Sequence, residues 1–480
     1  MVRPLAERLT QAGFDICVEL RLKRRDVGRH SQHLEERASG PIRARPRRRS
    51  ARRLPDRDLQ AHRRRFHGAR LLASLLAPWS IRRWRFMRIS VLVPGVPFDP
   101  DTLEAKSLGG SESAGAYMAR ALAAEGAQVT VFRSGSTTIS GAGVRYRPAS
   151  EWARYVEDAD DDVCIVQRSP EAFERTTRAR LNLLWCHEYS LARSPEYLRR
   201  TLWNVDRVIL LSRYMLGEYR STYQLDESPF FVSRNGIDLE LFRRLRGETA
   251  PRDPKKLIFT ARAERGLDVM LRHVMPWLLA REPELQLFIA AYDVAKDRWQ
   301  GLYDECDALM AGLGPRVVHL GALSKPDLYR QLLSSRVYVY PTPSPVLPDC
   351  REVSCISVME CQAAGLPVVS TALGALPETL TSGAGTLVAL DPSDATSLTS
   401  YVEQFGQAVL RFVRDDIAWT GASQLGLLRS EQLDWSEVAR TWLGEFEGWL
   451  RLGKKGPMAD PSAPMTTPRR PGVRRTWAAK

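Results

Sequence analysis

The sequence contains no apolar run longer than a strand, so no segment of it reads as a membrane-crossing helix. Its seven cysteines, at positions 17, 164, 186, 306, 350, 355 and 361, include no C-x-x-C pair and no histidines at metal-ligand spacing. That argues against a zinc site or a disulfide framework and suits a reducing cytosol. The start lacks the charged-then-apolar pattern with a cleavage site that marks a signal peptide, and no internal repeat is apparent. Acidic charge is lacking in one place. Residues 1–86 hold 23 Lys and Arg against 8 Asp and Glu, whereas the remainder holds 47 against 48. The whole excess behind the net charge of +14 therefore sits in the first 86 residues.

That basic segment includes PIRARPRRRSARRLPDRD and HRRRFHGAR and has a single lysine, Lys23. Such a run cannot bury enough apolar surface to fold, and residues 1–86 are expected to be disordered. Three readings stand. In the first, the segment is translated upstream sequence outside the natural protein, a mis-assigned start ahead of a domain with its own initiator at Met87-Arg88-Ile89-Ser90-Val91-Leu92-Val93. Alternatively, it is a basic arm for acidic membranes, with Leu71-Leu72-Ala73-Ser74-Leu75-Leu76-Ala77-Pro78-Trp79 as a shallow anchor. As a third reading it binds nucleic acid, although no reading module accompanies it.

From Met87 onward the pattern alternates between short Val/Ile/Leu-rich runs and amphipathic helices. Arg88–Gly95 reads as a strand buried on both faces. Gly109-Gly110-Ser111-Glu112 follows, then a helix to Glu125 with Ala114, Met118, Ala121 and Leu122 at a 3.6 period. A glycine loop between strand and helix lets the backbone approach a phosphate at the positive helix end. Strands are expected at 128–132, 162–167, 181–186, 207–212 and 230–233. His187 falls just past the end of one of them, where open α/β sheets keep their ligand crevice; a lone histidine is more often structural until something independent points at it. Asp160-Asp161-Asp162 reads as a solvated loop in preference to a metal site. Arg234-Asn235-Gly236-Ile237-Asp238, with Phe242, reads as the start of an interdomain hinge.

The second half repeats the alternation. A strand at 256–261 leads to Arg262-Ala263-Glu264-Arg265-Gly266-Leu267-Asp268 and a long helix carrying Met270, Leu271, Val274, Leu278 and Leu279. Two arginines in a strand-to-helix turn are placed to clamp an anion. Strands at 285–291, 317–320 and 337–341 and helices at 299–313 and 325–335 lead to the most informative stretch, Pro348–Leu380. There Glu352 and Glu360 flank a helix start, Gly365 ends that helix, and Gly374-Ala375-Leu376-Pro377-Glu378 opens another. Carboxylates and free backbone N–H groups converge as for a polyhydroxylated, phosphorylated ligand. Trp435–Leu452 reads as a late amphipathic helix. The expected organisation is a basic extension (1–86), a first Rossmann-like domain (87–240), a second Rossmann-like domain (241–430), a C-terminal helix (431–455) and a disordered tail (456–480). The expected class is α/β, with two doubly wound parallel sheets facing a cleft.

From Met87 to Leu452 this order of landmarks (GGSE, NGID with Phe242, the arginine turn before GLD, then E-x7-E with G-x-PVV and GALPE) resembles the GT-B retaining glycosyltransferases of family 4. The resemblance implies a GT-B fold of two Rossmann-like domains closing on a nucleotide-diphosphate sugar, with 87–240 on the acceptor side and 241–430 on the nucleotide-sugar side. It implies that Glu352 contacts the donor sugar and Glu360 the ribose hydroxyls. Arg262 and Arg265 would neutralise the leaving diphosphate, with Gly109 and Gly110 facing it, and His187 would stand near sugar and acceptor. Backbone N–H groups at Ser354, Cys355, Ile356 and Ser357 would add anion stabilisation, and Glu378 would join the donor site. The usual second basic residue is a lysine; here it is Arg265 in a short turn, which keeps the charge and changes the geometry. The implied reaction retains anomeric configuration and uses neither a carboxylate nucleophile, a D-x-D metal nor another cofactor. The implied partners are the donor and a glycan, lipid-linked or small-molecule acceptor, with no specific nucleic acid. The implied location is cytoplasmic, with peripheral contact at the inner membrane face. A non-catalytic protein of the same fold, indifferent to both glutamates, is the rival reading.

Overall fold

The computed structural model describes residues 87–188, 202–223, 229–291, 298–345, 347, 350–390 and 397–453. The basic arm, the tail beyond 453 and Pro348 lie outside the described residues, so the expectations for them stay as stated. Two sheets make up the described chain. The first has eight strands in the order β3-β4-β2-β1-β5-β6-β7-β8. These are β1 (Arg88–Val93), β2 (Gln128–Arg133), β3 (Ile139–Gly141), β4 (Val144–Pro148), β5 (Val163–Gln167), β6 (Leu181–Trp185), β7 (Arg207–Leu210) and β8 (Phe230–Val232). All neighbours pair parallel except β3 with β4. In register, Ile89 lies between Val129 and Val163. The second sheet runs β11-β10-β9-β12-β13-β14 and is parallel throughout. Its strands are β9 (Lys256–Phe259), β10 (Gln286–Ile289), β11 (Val317–His319), β12 (Val337–Tyr340), β13 (Val368–Thr371) and β14 (Gly385–Val388).

The central strands are buried along their whole length, as in β5, β6, β9, β12 and β13. This is why they read as continuous apolar runs and not as alternating ones. Each sheet has its own core. The expected long helix after β9 is continuous but not uniform. Residues Met270–Val274 form a wide π turn just ahead of Pro276 in the helix Met275–Leu279. A proline cannot donate to the helical ladder, and a locally widened turn absorbs it.

Two features differ from the sequence-based expectation. The small strands β3 and β4 carry Ser, Gly, Arg and Pro and give too weak an alternation to read. The acidic run 160–162 is a loop with Asp160 exposed, but it is solvated only in part: Asp161 is buried and accepts from Tyr155 Oη at 3.2 Å, while Asp162 accepts from the Arg88 backbone N–H at 2.9 Å. These carboxylates tie the starts of β1 and β5 together and hold no metal ligands' arrangement among the described residues.

The chain crosses between the sheets at Asn235–Asp238, and returns at 433–435. Both crossings are hydrogen-bonded to each other: Ile237 N–H donates to Leu433 O at 2.8 Å and Trp435 N–H to Ile237 O at 3.2 Å. Each crossing then opens a helix capped by its own aspartate. Asp238 accepts from Leu241 N–H, and Asp434 from Ser436 N–H. The helix Trp435–Leu452 packs its apolar stripe on the first sheet, although it follows the second in sequence. Trp442 is fully buried against Trp185, ring centroids 4.9 Å apart, and donates its indole N–H to Ser233 Oγ at 2.7 Å. No helix among the described residues is long and apolar enough to cross a membrane. Replacing Trp442 by Ala removes this wedge and should destabilise the protein by about 3–5 kcal/mol. A denaturant midpoint unchanged from wild type would show that the returning helix contributes no such packing.

Candidate functional site

A cavity of about 640 Å³ lies between the two sheets. Its walls come from residues at or just past the C-terminal ends of strands in both: Val96 after β1, Arg168 after β5, His187 after β6, Leu211 after β7, Arg262 after β9, Ala291 after β10 and Tyr340 at the end of β12. Open parallel sheets bind ligands at this edge because the strand ends leave backbone groups and loop side chains unpaired there. Gly109, Gly110, His187, Arg262, Arg265, Glu352, Ser354, Cys355, Ile356, Ser357 and Glu360 all line it. Gly110 and Ile356 face each other across the cleft; a Cβ on Gly110 would lie 3.9 Å from Ile356 Cδ1.

Both glutamates are held in the same way. Glu352 Oε1 accepts from Tyr340 Oη at 2.5 Å and lies 3.3 Å from Arg265 Nη1. Glu360 Oε1 accepts from Tyr329 Oη at 3.1 Å and from Lys325 Nζ at 2.5 Å. In each case a tyrosine and a cation grip one oxygen, and Oε2 takes no bond from the described residues. Burial, then the adjacent carboxylate, pushes the Tyr340 and Tyr329 hydroxyls well above the ordinary tyrosine range, so both remain donors. Tyr329 is itself fixed by stacking on Phe242, ring centroids 3.7 Å apart and planes 15° from parallel. Glu352 rests on the motif downstream of it. Gly374 has φ +58°, a Cβ there would sit 2.4 Å from Glu352 O, and Ala375 N–H donates to that same carbonyl at 2.7 Å. Only glycine allows that approach.

The arginine turn lies beside them. Arg262 is held through Nε by buried Glu264 at 2.9 Å, and Glu264 accepts from Tyr303 Oη at 3.3 Å. Arg265 also donates to Cys350 Sγ at 2.5 Å. Burial opposes the Arg265 charge, but Glu352 outweighs it and holds the guanidinium protonated. Gly266, at φ +102°, lets this turn lie against the end of β12, where a Cβ would meet Pro341 O at 2.1 Å. Cys355 precedes the helix Ile356–Ala364 with no side-chain cap, and Cys355, Ile356 and Ser357 at the helix start line the cleft. The cysteines 164, 186, 306, 350, 355 and 361 are all free and buried.

His187 has a different character. Gln167 Nε2 donates both to Ser111 O and to His187 Nε2, each at 2.7 Å, which makes Nε2 an acceptor and places the proton on Nδ1. Burial, with the charge of Arg168, lowers its pKa to about 3. The imidazole is therefore neutral across the physiological range, fit to donate one hydrogen bond and unfit to shuttle protons. Arg168, in the left-handed region at φ +65°, donates to Ser111 Oγ at 3.0 Å and pairs with Glu188 at 2.7 Å.

Glu378 is not in this cavity. Its carboxylate accepts from the Arg213 and Tyr214 N–H groups at 2.8 and 2.6 Å, at the start of the helix Arg213–Tyr223. A carboxylate satisfies the open amides and the positive end of a helix better than water does, so the second domain caps a helix of the first. The geometry thus corrects its expected place in the donor site. Residues that sequence reasoning passed over are Tyr340, Tyr329, Lys325, Gln167, Arg168 and Asn235. Asn235, read as hinge, lines the cavity with its Oδ1 buried and unbonded. Its place in the NGID landmark was the one signal available.

Residues 254–411 match the family described as glycosyl transferases group 1. The chain is 26% identical over 217 residues to a GDP-mannose-dependent monoacylated alpha-(1-6)-phosphatidylinositol monomannoside mannosyltransferase of Corynebacterium glutamicum, covering 43% of this chain and 54% of that one. It is 29% identical over 245 residues to a D-inositol 3-phosphate glycosyltransferase of Nocardioides sp., covering 47% and 49%. The chain thus spans about half the length of these relatives. Among solved structures, sucrose-phosphate synthase from Thermosynechococcus elongatus superposes with a TM-score of 0.57 at 19% identity, covering 76% of this chain and 99% of that one. The fold is GT-B.

The His187 geometry has a pH signature. An unfolded histidine binds a proton below about 6.5 while the folded one stays neutral down to about 3, so stability falls as pH drops through that window. The slope from this residue is up to about 1.4 kcal/mol per pH unit. Chemical denaturation of His187→Gln between pH 7 and 4 should show a slope flatter by that amount; identical slopes would contradict an imidazole held neutral in the fold.

Proposed function

We propose that the protein transfers a sugar from a nucleotide-diphosphate donor to a hydroxyl acceptor, with retention of configuration and without a metal ion. The observation that supports this most is the paired grip on Glu352 and Glu360. Each carboxylate keeps one oxygen for a ligand, and a carboxylate oxygen accepts well from the vicinal hydroxyls of a hexose or a ribose. Glu352 takes the donor sugar and Glu360 the ribose. Arg262 and Arg265, with the open N–H groups of Ser354 to Ser357, take the diphosphate.

On this reading catalysis lies in the leaving group. Scission of the glycosidic C–O bond places negative charge on the diphosphate, and preorganised guanidinium and backbone N–H groups stabilise that charge more than the ground state. A diphosphate oxygen then accepts the proton of the attacking acceptor hydroxyl on the same face. Neutral His187 donates from Nδ1 to the sugar or acceptor and leaves proton transfer to the phosphate. The names of the relatives, which include a phosphatidylinositol mannoside and an inositol phosphate enzyme, favour a hydroxylated, phosphate- or lipid-bearing acceptor for this chain also. They favour peripheral work at a cytoplasmic membrane face. Glu378 contributes by joining the domains.

Turnover of nucleotide-sugars in the presence of a chelator tests the reading. Wild type should release the nucleoside diphosphate and give a product with the donor's anomeric configuration by NMR. Arg262→Gln should lower kcat by roughly 10²–10³, the cost of losing one preorganised charge-stabilising donor. Glu378→Gln should leave the Km for donor within a few-fold while lowering the thermal midpoint. A strict metal requirement, an inverted product or an active Arg262→Gln enzyme would overturn the proposal.

A further inference from the structure

We infer that a second cavity, of about 380 Å³, at the far end of the interdomain cleft is a separate binding site for a phosphomonoester, held by Arg234 and Arg429. It touches the first cavity through the shared wall of Leu211 and Ser354 but contains none of Arg262, Arg265, Glu352 or Glu360. The inference does not depend on the glycosyl-transfer reading.

The electrostatics of this cavity are unbalanced. Arg234 has a buried Nη1 with no acceptor, and no ion pair to a carboxylate is formed by Arg234 or Arg429 among the described residues. Arg429 bonds through Nη1 to the neutral amide oxygen of Gln432 at 2.6 Å. Burial, then the charge of Arg234, lowers the pKa of Arg429, so the two guanidiniums repel each other across the space. Arg213 adds a third, exposed, positive side chain to the wall. Two acids line the cavity and both are occupied. Glu378 takes the Arg213 and Tyr214 amides, and Glu437 takes Arg440, which also pairs with Glu125.

Two like charges half withdrawn from water are unfavourable unless a dianion stands between them. A phosphomonoester carries about two negative charges and three acceptor oxygens, and guanidinium forks match its edges. The cavity has room for a phosphate with a small polyol or sugar attached. Its walls come from both domains, Arg234 from the end of β8 and Arg429 from the helix Asp416–Ser430, so an occupant would bridge them.

Inorganic phosphate, titrated into the full chain by calorimetry with the cleft saturated by a nucleoside diphosphate, tests this directly. Wild type should still bind phosphate, and Arg234→Gln and Arg429→Gln should each weaken it at least ten-fold while binding the nucleotide normally. Arg234→Lys, which keeps the charge and loses the fork, guards against a folding defect and should weaken phosphate several-fold. Flotation with phosphatidic acid vesicles distinguishes the source: loss of vesicle binding in the same variants assigns the phosphate to a lipid, and its persistence alongside lost phosphate binding assigns it to a soluble ester. Phosphate binding that survives both glutamine variants, or that disappears in Arg262→Gln or under nucleotide saturation, overturns the inference.

Discussion

The site depends on one repeated arrangement, a buried or half-buried carboxylate gripped on one oxygen by a tyrosine hydroxyl and a cation. Glu352 has Tyr340 and Arg265, and Glu360 has Tyr329 and Lys325. A buried charge without partners would take up a proton and lose its value as an acceptor. With both partners on Oε1, each carboxylate is held in one orientation, and its second oxygen takes no bond from the described residues. Hydrogen bonds to a charged group contribute roughly 1.5–3 kcal/mol each, so two per carboxylate offset much of the burial cost and fix the rotamer.

The fold supplies these grips from rigid elements. Tyr340 ends β12, a strand of the second sheet buried along its whole length, and Tyr329 and Lys325 lie on the helix Lys325–Ser334 that precedes it. Phe242, which stacks on Tyr329, lies on the helix that the hinge aspartate Asp238 caps. Hinge geometry and the position of Glu360 are therefore connected through one aromatic pair. On the other side, Glu378 reaches the first domain and Asn235 reaches Ser354 O at 3.2 Å, so both domains share in positioning the wall of the cleft. A cleft built from two separate sheets needs such cross-links, because strand ends alone do not fix the relative placement of loops.

Most of the fold was legible because parallel strands are buried on both faces and announce themselves as apolar runs. β5, β6, β9 and β12 are found within a residue or two of where their runs lie. β3 and β4 were not, since an edge hairpin with Gly, Arg and Pro has no such run. The lining of the cleft was legible where residue type and order carry it: glycines 109 and 110, arginines 262 and 265, glutamates 352 and 360. The tyrosines and Lys325 were not, because a buried tyrosine at helix spacing looks like core and a lysine at a helix start looks like solvent. Glu378 misled for a physical reason. A carboxylate in a helix-opening turn fits both an anionic-ligand site and a cap for another helix, and sequence order does not say which partner lies opposite. Asp161 and Asp162 repeat that lesson on a smaller scale.

The account's central claim is that the free oxygen of a gripped carboxylate receives ligand hydroxyls, and the ribose offers the most direct measurement. Affinity is measured for a nucleoside diphosphate and its 2′,3′-dideoxy form, with wild type and Glu360→Ala. Wild type should bind the dideoxy form roughly 10- to 100-fold more weakly, as expected for losing bonds to a charged acceptor. Glu360→Ala should bind both forms equally. Equal affinities in wild type, or a preference that persists without Glu360, would contradict the assignment.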